Sequence, residues 1–366
     1  FNFYEKSEMK KSLIALAVLA ASGASFAQVS VTGNLTYGYQ GNTIGGVNGG
    51  PTIDNAGFGA ETARVIFTAK EDLGGGYAAT AVMQVNSGAT AAGQAAGAED
   101  TTLTLATPVG GLVLGTVKGA DYLSGGIAGV GAYYAGWDGK VQSARTTRDM
   151  WAFVVPVGAF TFAIGQQEAA TNALGTPGGL GLGVGTTGAL AATDILSASA
   201  LTNVSVSYAA GPLAANGQYL AYKNASGIAN NKDTARISVS YDLGVVKLGA
   251  GGSVTNVTGP VNGANAKVTD YLVAAKVPMG ASSFGVSYNS RTWDDINAAA
   301  TARVGAGLAG GFTNGTGTGY SLEYGYAMSK RTSVIANYAR WTQVGSGLTA
   351  GRDADTQYQL LLSHSF

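Results

Sequence analysis

Apolar and polar residues alternate along short segments over nearly the whole chain. In the first such segment Val31, Leu35 and Tyr37 fall on one parity, and Thr32 and Asn34 fall on the other. Successive side chains of a β-strand point to opposite faces, so each segment has one apolar face and one polar or small face. This period-two pattern predicts about sixteen strands. They lie near residues 28–40, 60–71, 77–87, 99–106, 111–117, 148–156, 158–167, 202–209, 212–223, 232–242, 244–254, 267–276, 281–290, 319–327, 332–342 and 356–366.

The connections between these segments alternate between tight and long. Most tight ones carry glycine or proline, as at Thr107–Gly110 and Pro156–Gly158. Short turns at one end and long loops at the other are typical of an antiparallel up-and-down barrel in an outer membrane. The soluble alternatives are a β-solenoid, which would need a fixed internal repeat that we do not find, and a secreted sandwich. The long connections cover roughly 41–59, 88–98, 118–147, 168–201, 224–231, 255–266, 291–318 and 343–355.

The composition favours a sheet with one face in lipid and the other in water. Charged residues make up only 11%, the chain has 57 glycines and 18 tyrosines, and the mean hydropathy is only +0.16. No apolar run after Gln28 is long enough for a membrane-spanning helix. Because unpaired backbone groups cannot remain in lipid, such a sheet must close on itself. The predicted fold is therefore an all-β transmembrane barrel.

The predicted barrel is too wide to be filled by its own side chains. A barrel of about sixteen strands leaves an aqueous channel unless another segment occupies it. The third long connection, 118–147, is glycine-rich and is the segment that we expect to fold inward and narrow the lumen.

The N-terminal segment has the organisation of an export signal. Two lysines follow Met9, an apolar run spans Leu13–Ala21, and small residues continue to Ala27. A basic region, a short apolar core and a small-residue cleavage site are the three parts of a secretory signal peptide. We expect residues 1–27 to be removed, with those before Met9 lying upstream of the true start, and residues 28–366 to form the barrel.

The sequence offers little basis for catalysis or for cofactor binding. The chain has no cysteine, which excludes disulfide frameworks and thiol nucleophiles, and zero net charge gives no case for a nucleic-acid partner. The single histidine, His364, is expected at the membrane rim. The glycine run 178–188 lacks the Lys-Ser/Thr pair of a phosphate-binding loop. We expect neither enzymatic activity nor a metal or cofactor.

Two arginines lie on the polar parity of predicted strands. Arg64 and Phe67 lie on opposite faces of one predicted strand, and Arg148 and Trp151 lie on opposite faces of another. An arginine facing lipid costs several kcal/mol, so both should face water, where rings of charge set ion selectivity. The alternative is that they only solvate the lumen wall. Candidates for the opposing wall are Lys118, Asp121, Asp138, Lys140 and Arg145.

Aromatic residues are candidates for interfacial girdles, where the barrel crosses the two membrane–water boundaries. The candidates are Tyr37, Tyr39, Tyr77, Trp151, Tyr320, Trp341 and Tyr358. The alternative for some of them is a contact between the barrels of a trimer.

Three motifs resemble the Gram-negative porin family of β-proteobacteria, relatives of the neisserial porins. Arg64 stands seven residues before the turn sequence Glu-Asp-Leu-Gly-Gly-Gly at 71–76. The segment 324–332 reads Tyr-Gly-Tyr-Ala-Met-Ser-Lys-Arg-Thr, and the chain ends in Ser-His-Ser-Phe at Phe366. The resemblance spans essentially the whole chain.

The resemblance implies a homotrimer of sixteen-stranded barrels in the outer membrane, each narrowed by its third long loop. It also implies that Arg64 belongs to a basic cluster at the constriction and that the barrel assembly machinery reads Phe366. Two positions depart from the family pattern. Thr116 stands where the family usually has arginine, and the strand beginning at Arg148 replaces the family's Asn-Ser-Ile/Val-Arg-Tyr. The resemblance therefore does not extend to strong anion selectivity.

The expected function is passive diffusion of small hydrophilic solutes and ions through an outer-membrane channel. Two alternatives remain open at this point. A solute-specific channel would agree with the atypical constriction, and a surface-displayed β-protein for adhesion would share the alternating strands.

Overall fold

The computed structural model describes residues 28–45, 51–86, 97–118, 131–132, 147–167, 200–223, 230–258, 265–294, 314–342 and 354–366. All but a few of these residues lie in strands or in the tight turns that join them. The strands are β1 (Gln28–Ile44), β2 (Ile53–Gly74), β3 (Tyr77–Asn86), β4 (Gly97–Thr107), β5 (Gly110–Lys118), β6 (Thr147–Val157), β7 (Phe160–Gln167), β8 (Ala200–Ala210), β9 (Leu213–Lys223), β10 (Asn230–Asp242), β11 (Lys247–Thr258), β12 (Asn265–Met279), β13 (Ser282–Asp294), β14 (Gly315–Ala327), β15 (Thr332–Trp341) and β16 (Asp355–Ser365).

The strands form a closed antiparallel barrel. Each strand pairs with its neighbours in the chain, and β16 pairs with β1 to complete the ring. Closure leaves no edge with unpaired N–H and C=O groups, which is the condition for a sheet to lie in lipid. The sixteen predicted strands and the up-and-down order are therefore confirmed. Within the described residues, no helix is both long and apolar enough to cross a bilayer.

Tight turns join the strands at one end of the barrel. Each even-numbered strand up to β14 passes to the next through such a turn. Gly158, Gly211 and Gly280 occupy these turns with φ of 60°, 55° and 64°, a left-handed conformation that glycine adopts without steric cost. In the β10–β11 turn the Asp242 carboxylate accepts a hydrogen bond from the Gly244 N–H at 2.8 Å. The odd-numbered strands end at the other end of the barrel, where the predicted long connections begin.

The barrel is apolar outside and polar inside. On β8, for example, Val204 and Val206 are exposed on the outer face, whereas Asn203 and Ser205 point to the inner face between them. Fully buried polar residues on the inner wall include Thr234 and Ser321. A water-soluble protein would show the opposite arrangement, because exposed apolar surface is unfavourable in water. The outer wall is thus built to contact lipid.

The first hairpin is longer than the alternation predicts. The sequence assigns 41–59 to a loop, but β1 and β2 stay paired up to Ile44 and Ile53. The ring of Phe58, in this extension, meets that of Tyr39 edge to face at 5.3 Å. The segment is rich in glycine and asparagine, whose low strand propensity hid it from the sequence pattern.

One girdle assignment was wrong. Trp341 is buried and lies on the same parity of β15 as the buried residues Asn337 and Ala339. It therefore points into the barrel, not to the membrane interface. Tyr320 and Tyr358 of the same predicted set are exposed on the outer wall.

Candidate channel and its lining

Arg64 lies on the inner face of β2 within a small polar network. Its Nη1 donates to Gln84 Oε1 at 3.5 Å and is 3.8 Å from Glu99 Oε2. Glu99 Oε1 also accepts a hydrogen bond from Asn86 Nδ2 at 2.6 Å. About a third of each charged side chain stays in contact with solvent, 39% for Arg64 and 33% for Glu99. The arginine thus faces the lumen with a carboxylate beside it.

Arg148 lies on the inner face of β6, opposite in parity to the exposed Trp151. Its exposure is only 3%, whereas the Arg64 side chain is 39% exposed. Both arginines fall on the inner parity that the sequence predicts, but three strands stand between β2 and β6 in the ring. They are therefore part of the same curved wall without being adjacent.

Lys118 does not lie on the inner face. It is the last residue of β5 and shares parity with the exposed, outward-facing Leu114. Its backbone N–H donates to Asp100 Oδ1 at 2.6 Å, at the loop end of the barrel. The other candidates for the opposing wall lie outside the described residues: Asp121, Asp138, Lys140 and Arg145.

His364 and Phe366 lie at the turn end of the outer face. His364 Nδ1 is 2.9 Å from Thr332 Oγ1, and the imidazole is exposed. This position agrees with a residue at the membrane rim. Phe366 closes the barrel through its backbone, which donates to Gly33 O and accepts from Gly33 N, both at 3.0 Å.

Two ion pairs lie on the inner wall of β12–β14, and the sequence pattern did not reveal either. Arg291 donates from Nε to Asp270 Oδ1 at 2.7 Å and from Nη2 to Oδ2 at 2.9 Å. Lys276 Nζ is 3.1 Å from Glu323 Oε1. The partners are 21 and 47 residues apart in the chain. The sequence indicates only that each residue lies on the inner face, because which charged residues pair depends on the strand register.

Two residues of the third long connection lie against the far inner wall of the barrel. These residues, Gly131 and Ala132, contact the inner wall of β13 and β14. Ala132 N donates to Ser287 Oγ at 3.0 Å, while the hydroxyls of Ser287 and Ser321 lie 3.1 and 3.3 Å from Ala132 O, which accepts their hydrogen bonds. β13 stands opposite β5 in the ring, so Gly131 and Ala132 lie against the wall that faces the strand from which the connection leaves. These two residues lie where the predicted inward fold would place them, and the remainder of the loop between Lys118 and Thr147 lies outside the described residues.

The inner wall is covered around this contact and accessible on the other side of the barrel. Inner residues of β12–β14 around the contact, such as Asn289 and Ser321, are fully buried. Inner residues of β3 and β4, such as Thr80, Thr102 and Thr104, retain partial exposure. Water therefore reaches the wall on the Arg64 side of the barrel.

Comparison with known proteins agrees with this architecture. A sequence profile for Gram-negative porins matches residues 13–346, which is most of the chain. The chain belongs to the Gram-negative porin family. Outer membrane porin protein 32 of Delftia acidovorans is 28% identical over an alignment of 292 residues, which covers 74% of this chain and 77% of that protein.

Solved porin structures share the fold. The anion-selective porin from Comamonas acidovorans superposes with a TM-score of 0.65 and 19% identity, over 93% of this chain and all of that one. The trimer form of OmpT from Vibrio cholerae superposes with a TM-score of 0.62 and 13% identity, over 93% of this chain and 99% of that one.

The porin described here is a channel of the outer membrane through which solutes diffuse. Family membership, the apolar outer wall and the polar lumen all support this function. Among the residues that the structure describes, no group of His, Cys, Asp or Glu side chains is arranged to hold a metal ion.

Proposed function

We propose that this porin passes small hydrophilic solutes and ions by passive diffusion, without energy coupling and without catalysis. The passage runs between the third loop, which contacts β13 and β14, and the accessible part of the inner wall that carries Arg64. The observation behind this route is the asymmetry of the inner wall. Residues around Ser287 and Asn289 are buried beneath the loop contact, whereas Thr80 and Thr104 keep contact with solvent.

The channel discriminates only weakly between anions and cations. Arg64, the arginine that the family resemblance assigns to a basic cluster, has the Glu99 carboxylate 3.8 Å from its guanidinium. Opposite charges at this distance largely cancel each other's potential in the lumen. The similar Comamonas structure is described as anion-selective; in the present chain, Glu99 reduces the positive potential beside Arg64.

Assembly follows the pattern expected for the family. Residues 1–27 act as a cleaved export signal, and residues 28–366 insert as a homotrimer. One of the similar solved structures is a trimer form. The C-terminal Phe366 serves as the recognition signal for the barrel assembly machinery.

Reversal potentials in planar bilayers under a salt gradient test the selectivity proposal. Replacing Glu99 with Gln removes the negative partner, so we expect the reversal potential to move toward anion preference. Arg64→Gln should move it in the opposite direction. Lys118→Gln is the matched control, since this side chain lies on the outward parity, and it should leave the potential unchanged. If neither Glu99→Gln nor Arg64→Gln alters the potential, the Arg64 side is not the ion path.

A further inference from the structure

The contact between the third loop and the far wall is shaped by three neighbouring strands. Gly285 and Ser287 of β13 and Ser321 of β14 face Gly131 and Ala132. Ala274 of β12 completes the surface, because a Cβ added to Gly131 would lie 2.6 Å from its side chain. We call Gly285, Ser287 and Ser321 the seat.

Gly285 allows the backbone of the loop to touch the wall. A Cβ added at this position would lie 2.6 Å from Gly131 O and 2.7 Å from Gly131 C. These distances are shorter than a non-bonded contact allows. Gly131 itself has φ of 85°, a conformation that a residue with a side chain rarely adopts. The approach therefore depends on glycine at both positions.

The two serines provide hydrogen-bond partners for the backbone N–H and C=O of Ala132, which are shielded from water. Ser287 accepts from its N–H and donates to its C=O, and Ser321 also donates to this C=O. Both serines are almost completely buried. A buried backbone group that loses its partner is costly, so these hydrogen bonds favour one position of the loop.

We propose that the seat positions the third loop and thereby sets the width of the channel. The serines and Gly285 are positioning residues that touch the loop and not the solute. This inference rests on the proposed route between the loop and the accessible wall. It identifies which contacts on the covered wall hold the narrowing loop in place.

Cysteine labelling tests the seat without measuring transport. The chain has no cysteine, so a single Ala132→Cys reports only on its own site. Ala132 is 4% exposed, and we expect slow labelling by a hydrophilic maleimide in the folded barrel. Adding Ser287→Ala and Ser321→Ala should accelerate the reaction. Lys70→Cys, at an exposed position, gives the fast reference. Rapid labelling of Ala132→Cys with the seat intact would overturn the proposal.

Single-channel conductance tests the effect on width. Gly285→Ala places a methyl group against Gly131 and should push the loop into the lumen, with a loss of conductance and a smaller limiting sugar size in liposome swelling. Gly111→Ala is the matched control, because its added Cβ lies on the same inner face and meets only atoms at 3.9 Å. It should conduct like the unmodified protein.

The outcomes separate the two proposals. If the unmodified protein forms no channel, the proposed function fails, while the labelling result still reports on the seat. If Gly285→Ala conducts like Gly111→Ala, the seat does not set the width. Heat-modifiable gel mobility shows whether the barrel of each variant has closed. If Gly285→Ala does not close, the double variant Ser287→Ala with Ser321→Ala is tested in its place. Conductance of this double variant identical to that of the unmodified protein would overturn the proposal.

Discussion

The carboxylate of Asp270 and the guanidinium of Arg291 form the most buried ion pair described on the inner wall. Their side chains are 0% and 8% exposed, and two hydrogen bonds join them. The Ser253 hydroxyl also lies 3.3 Å from Asp270 Oδ2. A buried charge is tolerated when its partner and hydrogen bonds replace the water that it has lost. Each member of this pair therefore depends on the other.

We expect Asp270→Ala to destabilise the barrel because it removes the carboxylate that forms the ion pair with the buried Arg291 guanidinium. Breaking a buried ion pair from one side typically costs about 3–5 kcal/mol. Urea unfolding of the refolded protein in lipid vesicles, followed by tryptophan fluorescence, measures this loss. The double variant Asp270→Asn with Arg291→Gln removes both charges and should recover much of the stability. Equal losses in the single and double variants would show that the pairing itself contributes little.

Residue-level predictions from the sequence were correct where they depended on parity alone. Arg64 and Arg148 face inward because the neighbouring aromatic residues on the other parity face lipid. Their partners were not predictable in the same way. The Asp270–Arg291 pair joins two strands through a register that runs from Lys267↔Asp294 to Met279↔Ser282. This register is set by the turn at Gly280, and a shift of one residue would separate the two charges.

At the scale of the element, each strand carries its own membrane-facing pattern. In β8, Val204 is 50% exposed on the outer wall and the next residue, Ser205, points inward. This regular alternation is why all of the strands could be located from the sequence. It failed at the loop end of β1 and β2, where glycine and asparagine extend the hairpin beyond the apolar pattern.

The period-two alternation that locates the strands does not predict where a loop makes its contacts. The length and glycine content of 118–147 were enough to predict that this segment folds inward. They did not identify the seat, because Gly285 and Ser287 look like ordinary inner residues of a strand. What distinguishes them is the approach of Gly131. This contact joins distant parts of the chain, since Ala132 and Ser287, which share a hydrogen bond, are 155 residues apart.

Neighbouring residues on one strand should respond very differently to the same substitution. Val204→Arg places a guanidinium against lipid, and we expect it to destabilise the barrel by about 2–4 kcal/mol if it lies near the bilayer midplane. Ser205→Arg places the same group in the lumen and should cost far less. Urea unfolding in vesicles compares the two variants directly. Similar losses for both would mean that this part of the outer wall does not face lipid.

At the scale of the whole molecule, the fold is completed by the seam between β1 and β16. The strands pair from Asn34↔Ser365 to Thr43↔Thr356, and inner-face hydrogen bonds such as that from Asn34 Nδ2 to Ser363 Oγ at 3.1 Å reinforce the pairing. The seam joins strands from the two ends of the chain. It therefore has the largest sequence separation of any strand contact, and contacts of this kind form slowly.

Phe366 occupies the turn end of this seam. Its ring lies over Gly33 on the outer wall, since a Cβ added to Gly33 would fall 2.2 Å from Phe366 Cζ. Its backbone adds the last two hydrogen bonds between the strands. A side chain at Gly33 would displace the ring, so the two residues form one matched closure point.

We expect Phe366→Ala to reduce the yield of closed barrel in the outer membrane, because the seam loses the ring that covers Gly33. Membrane fractionation with heat-modifiable gel mobility measures the closed fraction. Phe160→Ala is the matched control: this ring is also exposed on the outer wall at the turn end, 45% against 48% for Phe366, but it lies far from the seam. Gly33→Leu with Phe366 intact should lower the yield as Phe366→Ala does if closure is the cause. If Gly33→Leu assembles normally while Phe366→Ala does not, Phe366 acts only as a recognition signal for the assembly machinery.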